Sequence, residues 1–181
     1  KSFILYRVEQ TKKRDARRAI AAHFSSIDIQ PVLTRIQQDF SEEQYSLTLL
    51  FHKFESFRKQ DMTESELLAI LIKAAVELTA QEAPRWEFIA ARFLMLDFSE
   101  KLKAELEKRN IRSFYEKLTY LEEKGLYGAY IRAGYSKEEL ENAYSYIDNG
   151  KNDLFTYSGL DLLLRRYVIS TRGHIPLETP Q

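Results

Sequence analysis

The residues able to carry chemistry in this sequence are scattered, not clustered. Three histidines, His23, His52 and His174, share no ligand spacing, and no HExxH motif is present. They read as structural or surface side chains. Cysteine is absent, which excludes a thiolate nucleophile, a cysteine–zinc site and a disulfide framework within these residues. The acid pairs Glu42-Glu43, Glu122-Glu123 and Glu138-Glu139 fall in amphipathic helices or at helix starts, where carboxylates complement the helix dipole. No GxxxxGK[ST] or GxGxxG loop offers backbone N–H groups to a phosphate. Tyr127, Tyr130, Tyr135, Tyr144 and Tyr146 could stack on bases, but packing of amphipathic rings accounts for them more simply. Lys12, Arg14, Arg17 and Arg18 could face an anion, yet the run TKKRDARR reads first as a solvated charged face. No catalytic constellation emerges from these side chains.

Composition bounds the rest. The 181 residues suffice for one moderate domain or two small ones with a real apolar core. Lysine plus arginine and aspartate plus glutamate number 27 each, so no whole-domain basic field attracts nucleic acid. No apolar run reaches about 18 residues, the length of a membrane span, and the opening KSFILY meets Arg7 and Glu9 too soon for a signal peptide. A soluble, cytoplasmic protein with no membrane and no direct nucleic-acid partner is expected. Four prolines and six glycines predict a mainly α fold. Both ends read as cut, so the sequence is expected to be a piece of a longer chain.

The elements that must position any site centre on residues 63–98. Leu67, Leu68, Leu71, Ile72, Ala75 and Leu78 recur at three- and four-residue steps and mark one helical face. Thr63 with Glu66 forms a capping box ahead of them. Pro84 suits the first turn of the next helix, which carries Trp86, Phe88, Ile89, Phe93, Leu94, Leu96 and Phe98 and is apolar on several sides. Upstream, residues 3–8 are strand-prone and residues 12–24 have helical propensity, with Ala16, Ile20 and Phe24 on one side. Ser25, Ser26 or Asp28 can cap a helix to about Phe40, and a second helix is predicted over 45–58. Downstream, KLKAELEKRN (101–110) reads as a solvated junction. Ser113 with Glu116 and Ser136 with Glu139 begin two further helices, Gly125 ends the first, and the second is predicted to end near Asn149-Gly150. A short helix to about Arg166 and a small hairpin over 167–175 follow.

The run IKAAVELTAQEAPRWEFIAARFLM resembles the end of the N-terminal regulatory ATP-cone of the class I ribonucleotide reductase large (alpha) subunit. Ile72-Lys73-Ala74-Ala75, the break at Ala83-Pro84 and the triplet Ala90-Ala91-Arg92 carry the resemblance. It continues through Phe155-Thr156-Tyr157, Tyr167-Val168 and Glu178-Thr179-Pro180-Gln181. It implies two domains: a four-helix cone-like regulatory domain over 1–98 with a small β-hairpin, then a helical domain over 99–181 that ends in a short hairpin and leads into a catalytic barrel. The hairpin would turn at Lys13-Arg14-Asp15, although Ala16 stands where glycine would adopt a positive φ without strain.

By the same resemblance, the enzyme as a whole reduces ribonucleotides to deoxyribonucleotides, while this segment regulates and positions and holds no catalytic residue. Its partners would be the rest of its own large subunit, a small radical-generating subunit and further copies of itself. ATP and dATP would be its effectors, with Lys13 the candidate nucleotide contact and no other cofactor or metal. The family places a threonine and a histidine on the third cone helix and a lysine after the fourth. Here Glu64, next to Thr63, occupies the threonine position, Leu68 the histidine position, and Glu100, next to Lys101, the lysine position. A carboxylate facing a triphosphate repels it, so the cone is expected to be degenerate, with weak or no ATP binding. Two other readings compete: a stand-alone helical interaction module, and the effector-sensing domain of a regulator.

Overall fold

The computed structural model describes residues 15–171 and 175–180. Helices make up nearly all of its regular structure: α1 (residues 15–21), α2 (Gln30–Asp39), α3 (Leu47–Phe57), α4 (Glu64–Glu77), α5 (Trp86–Lys108), α6 (Phe114–Glu123), α7 (Tyr130–Gly134), α8 (Lys137–Ser145) and α9 (Tyr157–Arg166). Short 3-10 turns cover Glu43–Tyr45 and Asn149–Leu154. Among the described residues, isolated bridges pair only Ala80 with Ala83 and Ser170 with Pro176.

Local chemistry sets most helix ends. Thr63 and Glu66 form the full capping box of α4, and Ser136 and Glu139 that of α8. Only half of the box expected at α6 forms. Ser113 Oγ accepts from Glu116 N at 3.1 Å, but the Glu116 carboxylate reaches one residue further back and accepts from Arg112 N at 2.6 Å. Gly125 closes α6 with φ +68°. Its N–H donates to the Glu122 carbonyl at 2.8 Å and Leu126 N–H to the Leu121 carbonyl at 2.8 Å, the Schellman pairing.

The described residues divide into two compact units, one holding the residues up to Asp97 with Asp153–Asp161, the other Phe98–Asn152 with the residues from Leu162 onward. In the first, α1 to α4 and the start of α5 enclose a core in which Ile20, Leu33, Leu50, Phe54, Leu68, Trp86 and Phe93 are all but fully buried. Trp86 pairs its ring with Tyr45 at 6.0 Å between centroids, and its Nε1–H donates to the Gln44 carbonyl at 2.9 Å. The indole is thus buried with its one donor satisfied. Tyr157 packs against the same core, and Ser158 Oγ donates to Glu87 at 3.1 Å. In the second unit α6 packs on α8, with Leu118, Leu121 and Leu140 buried. The expected terminal hairpin is minimal: Thr171 N–H donates to the Ile175 carbonyl at 2.8 Å and Leu177 N–H to the Ile169 carbonyl at 2.9 Å. Glu178 braces it, accepting from Ile169 N at 2.8 Å and from Tyr127 Oη at 2.5 Å.

Four other sequence expectations change. The strand over 3–8 and the Lys13-Arg14 turn lie outside the described residues, but residues 15–21, where a hairpin's second arm would run, are helical. Helical propensity wins here: Ala16 is a strong helix former, and Ala16 and Ile20, one turn apart, are both buried. No serine caps α2. Its N-cap is Ile29, without a side-chain bond, and Pro31 in the first turn removes one orphan N–H. The charged stretch 101–110 is no break, because α5 runs through it to Lys108 with Leu102 and Glu105 buried. Last, α8 ends at Ser145, ahead of a 3-10 turn over Asn149–Leu154.

Candidate functional site

The start of α4 is where the first unit handles negative charge. Thr63 and Glu66 satisfy each other: Glu66 N donates to Thr63 Oγ1 at 3.3 Å, and Thr63 N donates to the Glu66 carboxylate at 2.8 Å. With the cap filled in this way, Glu64 turns its carboxylate to the loop before α2. Oε1 accepts from Ser25 N at 2.8 Å, Ser25 Oγ at 2.5 Å and Ser26 N at 3.1 Å. Oε2 accepts from Ser26 Oγ at 2.8 Å and Ile27 N at 3.0 Å. Consecutive backbone N–H groups with flanking hydroxyls form an anion cradle, and the oxyanion in it is the protein's own. Hydrogen bonds from the Ser25 hydroxyl and backbone, then from Ser26, hold the Glu64 carboxyl down to about 2, well below the usual carboxylate range. It is therefore ionised throughout the physiological range.

Leu68, on the same helix as Glu64, does not join this cradle. Leu68 points into the core and is fully buried, so it offers no polar atom to a ligand. Glu100 and Lys101 sit on the part of α5 that belongs to the second unit. Lys13 lies outside the described residues. Of the charged run, Arg17 is tied down, its Nη1 donating to Thr34 Oγ1 at 3.3 Å, while Arg18 is exposed. His23 meets Phe54 with its ring tilted and lies 3.4 Å from Glu55, and His52 adjoins Phe51, so both have structural neighbours. Among the described residues no group of three or more His, Cys, Asp and Glu side chains is placed to hold a metal. Among the described residues no helix is long and apolar enough to cross a membrane.

A charge network around Arg92 escaped sequence reasoning. Its side chain is only 7% exposed, and Nη2 donates to Asp39 Oδ2 at 2.6 Å. Nε lies 3.4 Å from Asp153 Oδ1 but makes no hydrogen bond there, and Nη1 also lacks an acceptor. Asp153 in turn accepts from Arg35 Nη1 at 2.8 Å. Phe40 carries two guanidinium groups on its ring, Arg85 at 4.6 Å and Arg92 at 4.9 Å. This network ties the returning segment at Asp153 to α2 and α5.

No protein-family model matches the chain. Individual relatives do. The chain is 60% identical over all 181 residues to a ribonucleoside-diphosphate reductase subunit alpha of Treponema pallidum. In sequence, this chain belongs with the ribonucleotide reductase large subunits. It is also 30% identical over 164 residues, 90% of its length, to the alpha subunit of phage T4. With the Escherichia coli subunit it shares 25% identity over 108 residues, 60% of its length. It spans about a fifth, 21%, of the Treponema and phage relatives. Ala90-Ala91-Arg92, which carried the family resemblance, acquires a structural meaning here: Ala90 and Ala91 are buried on α5, and Arg92 is the hub of the charge network.

Proposed function

We propose that this chain is the regulatory and positioning region at the front of a cytoplasmic ribonucleoside-diphosphate reductase large subunit. The observation that carries this reading is the 60% identity over the whole chain with the Treponema alpha subunit. The region itself reduces nothing. The radical chemistry that converts ribonucleotides to deoxyribonucleotides belongs to the remainder of the subunit, assembled with a small radical-generating subunit and with further copies of the large one. Residues 1–98 act as an ATP-cone-like domain and residues 99–181 as the helical lead into the catalytic barrel. The longer reading frame is the first test. Several hundred further residues carrying redox cysteines are expected, and a stop codon shortly after Gln181 would overturn the assignment.

In this reading the cone is degenerate as an ATP and dATP sensor, and Lys13 is its one retained effector contact. Two observations support that. The Glu64 carboxylate occupies the Ser25–Ile27 cradle, and Leu68, at the position of the family's histidine, is sealed in the core. A phosphate brought beside Glu64 meets about 1–4 kcal/mol of repulsion per charge pair at 4 Å, depending on solvent exposure. Isothermal calorimetry with ATP and dATP at millimolar concentration should give no saturable heat. Low-micromolar affinity for either nucleotide would refute the degenerate cone while leaving the family assignment standing.

A further inference from the structure

The second unit contains a cavity of about 250 Å³ whose walls include Leu106, Ile111, Arg112, Phe114, Lys117 and Tyr144. Phe114 and Tyr144 stack face to face, with centroids 4.6 Å apart and planes 12° from parallel. Lys117 sits one turn after Phe114 on α6, so the two side chains share a face. Its ammonium lies 5.0 Å from the Phe114 centroid and 5.2 Å from that of Tyr144. The residue is only 7% exposed. Among the described residues it makes no side-chain hydrogen bond and no ion pair. Nearby Glu178 contributes charge at a distance, but both its oxygens are engaged, by Tyr127 Oη at 2.5 Å and Ile169 N at 2.8 Å.

The Lys117 side chain is largely buried, but its Nζ is not sealed from solvent, so the ammonium reaches the cavity. Burial holds the Lys117 ammonium below the ordinary lysine range, with Glu178 opposing the shift. The other charges in the wall leave the cavity's positive character standing. Glu141 also lines it, but its carboxylate is engaged by Tyr115 N at 2.7 Å and by the Ser113 hydroxyl and Phe114 N, which hold it below the usual carboxylate range. Arg112 is exposed, and its guanidinium makes no hydrogen bond or ion pair among the described residues. The cavity thus presents two cations, one hydrogen-bonded carboxylate and apolar walls.

We propose that this cavity binds a small organic anion, a carboxylate or phosphate ester on a flat apolar body. Lys117 serves as its buried counter-ion and Arg112 as a second, exposed cation, while Leu106, Ile111 and the Phe114–Tyr144 pair hold the body. At about 30 Å³ per water, the volume corresponds to roughly eight waters, or a ligand of about ten non-hydrogen atoms. The site lies within the second unit and does not depend on the cone being active.

The test uses the full chain with benzoate, phenyl phosphate, benzyl alcohol and inorganic phosphate as probes, followed by NMR of the lysine side chains and the backbone. Benzoate or phenyl phosphate should bind saturably with a Kd on the order of 1 mM, about −4 kcal/mol, and raise the Lys117 pKa. The preferred of the two assigns the head group. Lys117→Met keeps the apolar stem, should fold at least as well, and should weaken binding about tenfold or more, a difference of about 1.4 kcal/mol. Arg112→Gln should weaken it less. Equal binding of benzyl alcohol, or undiminished binding to Lys117→Met, would overturn the proposal, as would no saturable binding in the wild type. Inorganic phosphate binding as well as the aromatic probes would mean an adventitious ion only. Binding that disappears in the longer subunit would also overturn it, because the cavity would then seat another part of the polypeptide.

Discussion

The Arg92 network makes an asymmetric prediction about stability. Arg92 is 7% exposed, whereas Asp39 is 45% and Asp153 is 25% exposed. Removing the guanidinium leaves two carboxylates that can rehydrate, and Asp153 keeps Arg35 at 2.8 Å. Arg92→Met also removes two buried donors, Nε and Nη1, that have no hydrogen-bond acceptor. Together the two donors cost about 2–6 kcal/mol, while the lost charge-assisted bond to Asp39 is worth about 1.5–3 kcal/mol and the lost cation–π contact with Phe40 about 0.5–2 kcal/mol. The terms offset, so Arg92→Met should lie within about 1 kcal/mol of wild type. Neutralising the acids instead strands a buried cation. The Asp39→Asn, Asp153→Asn double variant should cost about 3 kcal/mol, the low end for a broken buried pair because asparagine still accepts a hydrogen bond. Adding Arg92→Met to that double variant should restore most of the loss. Urea unfolding read by fluorescence reports this directly, since Trp86 is the single tryptophan and is buried in the same unit. The midpoints should move with the slope unchanged. If Arg92→Met proves more destabilising than the double acid variant, the burial argument is wrong.

Two further predictions concern local devices. Glu64 has a depressed folded-state pKa, about 2 against 4.5, so its contribution to stability is complete above pH 4.5 and fades as pH falls towards 2. Glu64→Gln should remove that dependence and cost about 1 kcal/mol at neutral pH, a value kept low because solvent screens the site. A Glu64 side-chain carboxyl NMR titration with a midpoint near 4.5 would contradict the clasp. Gly125→Ala should cost about 1 kcal/mol in thermal unfolding followed by circular dichroism. Its φ is +68° and a new Cβ meets nothing within 4 Å, so the cost is backbone strain alone, and a neutral substitution would show that the left-handed cap is dispensable.

The sequence by itself determined what depends on neighbours three or four residues apart. The helical faces around Leu68 and Phe93, the boxes Thr63–Glu66 and Ser136–Glu139 and the glycine stop at Gly125 were all legible, because capping and amphipathicity are written in local spacing. Family membership was legible for a related reason, since an ordered string of buried types around a proline break is retained in sequence itself. Tertiary structure alone decided which polar groups meet. Ser25 and Ser26 looked like caps for α2, yet they serve Glu64, 38 or 39 residues away. Arg92 meets Asp39, 53 residues back. Nothing in local spacing marks Lys117 as buried; its ammonium lies against the Tyr144 ring of α8 only in the folded unit. Spacing along a helix says which side a residue occupies. Only the packing of distant elements says whether that side is dry, and a charge's role depends on that.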